Sequence, residues 1–140
     1  MLRQASTTFI VDSRGRGLVE FTPAVSAWVA QAGFETGLLT LFVRHTSASL
    51  LVQENADPDV RGDLDRFFAR VVPDGDPLFR HVDEGPDDMP SHVRSALTNV
   101  QLSIPVVAGR LVLGTWQGIH LWEHRHKPHR REVAAHLLGE

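Results

Sequence analysis

The chain has no cysteine, so disulfides and thiolate metal sites are both excluded and any metal would have to be held by nitrogen and oxygen donors. Long apolar runs are missing as well. No segment approaches the roughly twenty residues that a membrane span requires, and the start, MLRQASTTFIV, carries neither an apolar h-region nor a small-residue cleavage site. A cytoplasmic protein without a membrane partner is the expectation. Basic charge is not in excess: the net charge of −3 argues against a general nucleic-acid partner. There is no Walker loop or Rossmann glycine pattern, so an ordinary nucleotide fold has no support, and there is no internal repeat or low-complexity linker. What is present, 42% hydrophobic and 22% charged residues in a chain of 140, is the composition of one soluble domain spanning residues 1–140. A chain of that length can bury about two thirds of its unfolded surface.

Patterning predicts mixed structure. Residues 6–11 are rich in β-branched side chains and run into SRGRG, a glycine-rich turn after which residues 18–21 can pair back. Thr22 and Pro23 read as N-cap and first helical position, with Gly33 as the stop, placing a helix over residues 23–32. Residues 38–44 and 49–53 read as strands. Asp57 and Pro58 repeat the cap signature, and Val60, Leu64, Phe67, Phe68 and Val71 follow with helical spacing up to Pro73. A shorter helix is expected over residues 89–97, capped by Asp88 and ended by a left-handed Asn99. Beyond it, residues 100–107, 111–115, 118–124 and 131–138 suggest a C-terminal antiparallel meander. The order is neither a strict βαβ alternation nor all β, so the fold class is α+β with two or three helices.

Charge is unevenly distributed. Asp74, Asp76, Asp83, Glu84, Asp87 and Asp88 crowd one stretch, whereas HRHKPHRR near the C-terminus is basic. The two are solvated loops or partners of each other, within or between subunits. The acidic stretch holds HVDEGPDDMPSH, with His81 and His92 at its ends. His92 falls four residues after Asp88, so the two share a helix face. The helix dipole there favours the neutral imidazole that a metal requires. His45, in RHTSAS at a strand end, adds a third imidazole. Three histidines with nearby carboxylates suit zinc with an open coordination position, although spacing alone is a weak signal and single histidines are more often structural.

Other constellations are weaker. HTSAS lacks a nucleophile elbow, and Ser47 and Ser49 read as hydrogen-bond donors to an anion or to the backbone. In GTWQG, Trp116 is expected in the core, with the glycines marking a bulge or a close backbone approach. His124 and His126, two apart, form a second metal candidate, though a solvated loop is the simpler reading.

HTSASLLVQENADPDVRGDLDRFF, HVDEGPDDMPSHVRSAL, IPVVAGRLVLGTWQGIHLWEHR and the terminal LLGE together resemble the YjbQ family, also called the secondary thiamine-phosphate synthase family, from about residue 5 to the C-terminus. The resemblance implies a compact α+β protein of β-sandwich character that assembles as a homotrimer. It also implies thiamine-phosphate synthesis, the joining of a hydroxymethylpyrimidine diphosphate to a thiazole phosphate with loss of pyrophosphate, as a secondary activity. By that resemblance His45, Glu54, Asp63, His81, Asp88, His92, Gln117, Glu123 and Arg125 match family blocks, while Gln53, Asn99, Gln101 and His120 depart from them. The expected site therefore has His45, His81 and His92 holding a divalent metal, zinc first and magnesium as an alternative with a diphosphate substrate. Glu54 and Asp88 would orient ligands or transfer protons, and Ser47, Gln117 and Arg125 would bind a small phosphorylated molecule in a cleft shared between subunits. A non-enzymatic module that captures a phosphorylated small molecule, or a metal-dependent hydrolase, are the alternatives.

Overall fold

A computed structural model describes residues 1–140. Its elements in chain order are β1 (Arg3–Asp12), β2 (Gly17–Glu20), α1 (Thr22–Ala32), β3 (Thr36–Val43), β4 (Ala48–Glu54), α2 (Pro58–Val71), α3 (Asp88–Leu97), β5 (Gln101–Val107), β6 (Arg110–Leu111), β7 (Gln117–Glu123) and β8 (Arg130–Gly139). The strands form two antiparallel sheets, one ordered β1-β8-β3-β5-β6 and the other β2-β7-β4. The α+β class with antiparallel sheets and three helices is therefore as expected.

Period-2 alternation places the core. On β5, Leu102, Ile104 and Val106 point inward while Gln101, Ser103, Pro105 and Val107 face out. Leu39, Leu41 and Val43 of β3, Val133 and Leu137 of β8, Leu50 of β4 and Ile119 and Leu121 of β7 join them, with Val25 and Val29 of α1, in one cluster of 18 buried residues. Burying each such side chain contributes about 1.5–3 kcal/mol relative to exposure. β7 is buried on both faces: Phe68 of α2 packs edge-on against Trp122 at 4.9 Å, and Ser91 of α3 donates to the His124 carbonyl at 2.8 Å.

Signals that act within a few residues hold in the structure. Asp57 caps α2 through the Asp59 amide, and Gly33 ends α1 at φ 70°. Others need correction. Thr22 does not cap α1; its hydroxyl donates to Glu20 and accepts from the Ile119 amide, tying the helix start to both neighbouring strands. Asp88 is the first residue of α3 rather than its cap, Asp87 precedes it, and Thr98 ends the helix without a left-handed Asn99. The positive φ falls instead at Ala108 and Gly109, the two-residue turn between β5 and β6. Trp116 is 61% exposed rather than in the core, whereas Gly118 does permit close approach, since a Cβ there would lie 2.4 Å from the Glu20 carboxylate.

The pairing of strands departs most. β2 does not fold back on β1, and the four C-terminal segments are no meander: β7 lies between β2 and β4, while β8 lies between β1 and β3. The chain passes between the sheets six times, and three of these passages are loops that follow Asp12, Val43 and Glu123. These three crossings lie at one end of the molecule, because Asp12 pairs with Arg130, Val43 with Val133, and both Gly17 and Ala48 with Glu123. That end carries the candidate site.

Candidate metal centre

Three polypeptide crossings at one end leave many backbone groups outside any ladder, and buried charge organises them. Glu123, fully buried at the last position of β7, accepts from Arg131 Nε at 2.9 Å, from the Ser13 hydroxyl at 2.6 Å and from the Arg125 amide at 3.2 Å. Arg131 also donates to the Ser47 hydroxyl at 2.9 Å. Residues of all three crossings thus converge on one ion pair. Burial alone would raise the Glu123 carboxyl, but Arg131 and Ser13 hold it below the usual range. A lone acid following the apolar run of β7 was the sequence signal for this network.

The acidic loop docks onto the same crossings. Arg125 donates from Nε to Asp87 at 3.1 Å, from Nη1 to Asp88 Oδ1 at 2.8 Å and from Nη2 to the Glu84 carbonyl at 2.9 Å, while the His126 amide donates to Asp87 at 2.9 Å. The oppositely charged stretches are therefore partners within one chain. Farther out, Asp74 receives Arg16 and stands 2.8 Å from His126 Nε2.

At the head of α3, Asp88 is only 2% exposed, and its second oxygen, Oδ2, meets two imidazoles: His81 Nε2 at 2.8 Å and His92 Nε2 at 3.2 Å. The two rings stand edge to face, 5.5 Å apart. One donor atom from each of the three residues lies within 4.8 Å of the others. Burial opposes ionisation of Asp88, but the bond with His81 and the charges of His92 and Arg125 hold its carboxyl below the usual range. His92 Nδ1 lies 3.0 Å from the Thr46 carbonyl, which can only accept, so the proton is assigned to Nδ1. In its neutral form the ring would aim its Nε2 lone pair at a carboxylate oxygen. Only a second proton on the ring or a cation between the two atoms resolves that opposition. A His, Asp, His donor set, with one ring oriented by a carbonyl, fits a zinc ion with bonds of about 2 Å after small side-chain rotations.

The remaining expected residues fall elsewhere in the protomer. His45 Nε2 accepts from the Glu132 amide at 2.8 Å, extending the β3–β8 edge, so His45 does not join His81 and His92. Burial and the nearby Arg131 push its pKa down. Its neighbour Thr46 is the residue that reaches the cluster. Ser47 is occupied by Arg131, and Arg125 by Asp87 and Asp88, so both hold the site's frame. Glu54 and Gln117 face each other at the far ends of β4 and β7, about 20 Å from the crossings by strand rise. Glu54 accepts from the Asp57 amide at 3.3 Å, and Gln117 from the Gly114 amide at 2.8 Å. His124 and His126 do not form a second centre: His124 is buried against Ser49 at 2.9 Å, while His126 turns to Asp74.

Comparison with known proteins agrees with this architecture. The sequence model described as "UPF0047 protein YjbQ-like" matches residues 7–140. A UPF0047 protein of Synechocystis sp. is 54% identical over 138 residues, covering 99% of this chain and 94% of that one. The UPF0047 protein YjbQ of Escherichia coli is 44% identical over the full length of both. Among solved structures, a conserved hypothetical protein of Thermus thermophilus superposes with a TM-score of 0.81 at 39% identity, covering 92% of this chain and 97% of that chain. A YbjQ-like protein of unknown function from Sulfolobus solfataricus superposes with a TM-score of 0.89 at 23% identity over the whole of both chains. With its fold and nearly its whole length matched, the chain belongs to the YjbQ-like UPF0047 family.

Proposed function

We propose that His81, Asp88 and His92 bind a divalent metal ion, and that this centre captures a phosphorylated small molecule. The observation that carries the reading is the opposition of His92 Nε2 and Asp88 Oδ2 at 3.2 Å, with the other ring nitrogen committed to Thr46. Two imidazoles and one carboxylate favour zinc; magnesium prefers oxygen ligands and fits the set less well. Bound there, the ion would offset negative charge on phosphate oxygens and keep a position open for them. Elemental analysis of the purified protein beside His92→Ala tests the centre: metal in the wild type and its loss in the variant is the expected result, and equal content sinks the reading.

Thiamine-phosphate synthesis is the reaction we propose for this centre, following the family resemblance. The pyrimidine methylene carbon would bond to the thiazole nitrogen as pyrophosphate departs. Supplying both precursors and assaying for thiamine phosphate decides it. A binding module without turnover is the competing reading, favoured by the distance of Glu54 from the histidines within one chain. Hydrolysis of generic phosphate esters would point to the third.

Self-association as a homotrimer is part of the proposal, since a neighbouring copy would supply the Glu54 carboxylate that lies far from the cluster within one chain. The outer face of the five-stranded sheet supports it. Phe42 and Leu38 stand exposed there, and Ser6, Thr8, Thr40 and Ala134 line a shallow depression whose only titratable neighbour is His136.

A further inference from the structure

β2 is an edge strand, paired with β7 on one side only at the end of the three-stranded sheet. The Phe21 amide bonds to the Ile119 carbonyl directly opposite, so alternation turns the N–H and C=O groups of Leu18 and Glu20 away from β7. Their edge borders a cleft lined by residues 14–20, by Asp12 and, from α2, by Arg61; all of these but Asp12 and Arg14 are half-buried. Open edges are a template for another chain, and proteins normally cover or blunt them. This one is charged, mostly with one sign. Glu20 is committed, accepting from the Thr22 hydroxyl at 2.8 Å and the Asn55 side chain at 2.9 Å. Arg16 is committed too, donating to the His124 carbonyl at 2.7 Å and to both Asp74 oxygens. Arg14 and Arg61 take part in none of the protein's ion pairs, which leaves two free guanidiniums against the exposed carboxylate of Asp12. The turn that carries Arg14 is fixed, because Arg16 anchors it and a Cβ on Gly15, at φ 119°, would lie 2.7 Å from the His126 carbonyl. Arg61 stands at the opposite end of β2, where its charge reaches Glu20 and His120.

We propose that β2 takes up a short, extended, acidic peptide segment of a partner protein as a fourth strand of the small sheet. The segment's backbone pairs with Leu18 and Glu20, and carboxylates on its alternate residues meet Arg14 at one end and Arg61 at the other. Gly17 and Glu20 are about 10 Å apart by strand rise, so the ligand that joins the two ends is a chain of about four or five residues rather than one compact anion. Leu18 and Val19 give the intervening residues an apolar surface to rest on. The half-open shape of the cleft suits a strand laid along an edge, and the fixed turn leaves little freedom to lose when it arrives.

Titration of the nitrogen-15-labelled full chain with an acetylated Glu-Val-Glu-Val-Glu amide tests this, beside the Lys-Val-Lys-Val-Lys counterpart and inorganic phosphate. The acidic peptide should move the Leu18 and Glu20 amide signals, slow their hydrogen exchange and bind about tenfold or more tightly than the lysine peptide. Arg14→Ser and Arg61→Ser should each weaken it about two- to fivefold at unchanged melting temperature. Methylating the backbone nitrogens of the pairing residues keeps the peptide's charges and should abolish most of its binding. Equal binding of the methylated or the lysine peptide, or unmoved Leu18 and Glu20 signals, overturns the proposal. Inorganic phosphate that moves both signals and displaces the peptide does so as well, by making the cleft a simple anion site. Protection of the two amides that rises with protein concentration before any peptide is added would make a second copy the occupant, and would overturn it too.

Discussion

Asp88 and His92 face each other across one turn of α3, Oδ2 to Nε2 at 3.2 Å, with neither atom able to donate while the ring is neutral and protonated on Nδ1. The pair is completed by His81 on one side and by Arg125, on the other carboxylate oxygen, behind it. A cation-ready geometry is therefore held by a guanidinium that itself belongs to the frame.

Asp88→Asn should expose this dependence. The amide keeps the shape but brings no charge for a metal or for Arg125. Zinc affinity should fall about 10- to 100-fold, and stability should drop by roughly 2 kcal/mol because a mostly buried guanidinium loses a partner. Zinc titration and urea unfolding read the two effects separately; unchanged affinity would remove Asp88 from the ligand set.

Mixing variants tests whether the site is shared. His92→Ala and Glu54→Gln should each abolish turnover, yet subunits refolded together in equal amounts should recover activity in about a quarter of sites if the two residues come from different copies. No recovery would place them in separate roles.

Assembly through the outer sheet face makes a further prediction. Thr40→Arg puts a charge in the middle of the shallow depression, and sedimentation should show monomers with little change in melting temperature. A trimer that survives the arginine would move the interface elsewhere.

Acid sensitivity should begin well above carboxylate titration. Burial pushes His124 down from 6.5 to about 3, with Arg94 and Arg16 adding repulsion. The unfolded chain thus takes up a proton near pH 6.5 that the folded chain refuses, so stability is complete above pH 6.5 and declines as pH falls toward 3. The loss is about 1.4 kcal/mol per pH unit, or some 2 kcal/mol by pH 5. His45 and His120 are shifted in the same direction, also by burial first. Urea midpoints at pH 7 and 5 should show the decline, and His124→Gln should flatten it; an equally steep slope in the variant would assign the effect to other groups.

The Glu123–Arg131 pair should behave as a unit. Arg131→Met strands a fully buried carboxylate and should cost about 3–5 kcal/mol, whereas adding Glu123→Leu should recover part of that loss. Purely additive losses in a double-mutant cycle would show that the pair is not coupled.

Local pairings were legible in the sequence because their spacing alone sets them. Asp88 and His92 meet because four residues make one helical turn, and the Asp57 cap and the Gly33 stop are equally local. His45 was not legible in this way. A residue at a strand end takes its partner from whichever strand lies alongside, and here that is β8, whose Glu132 amide takes the imidazole. Ser47 and Arg125 were expected to bind a phosphorylated molecule, but within the protomer they are engaged by Arg131 of β8 and by the acidic loop.

The sequence by itself determined the α+β class, the presence and approximate span of the three helices and the shared face of Asp88 and His92, since periodicity and helical spacing act within a few residues. Only the tertiary structure decided that β2 joins β7 rather than β1, that three crossings gather on Glu123 and Arg131, and that Glu54 lies far from the histidines of its own chain. Alternation tells which side of a strand is buried and nothing about its neighbour. That choice belongs to the packing of two sheets on one core, which then carries the polar chain crossings, and the candidate centre with them, to a single end.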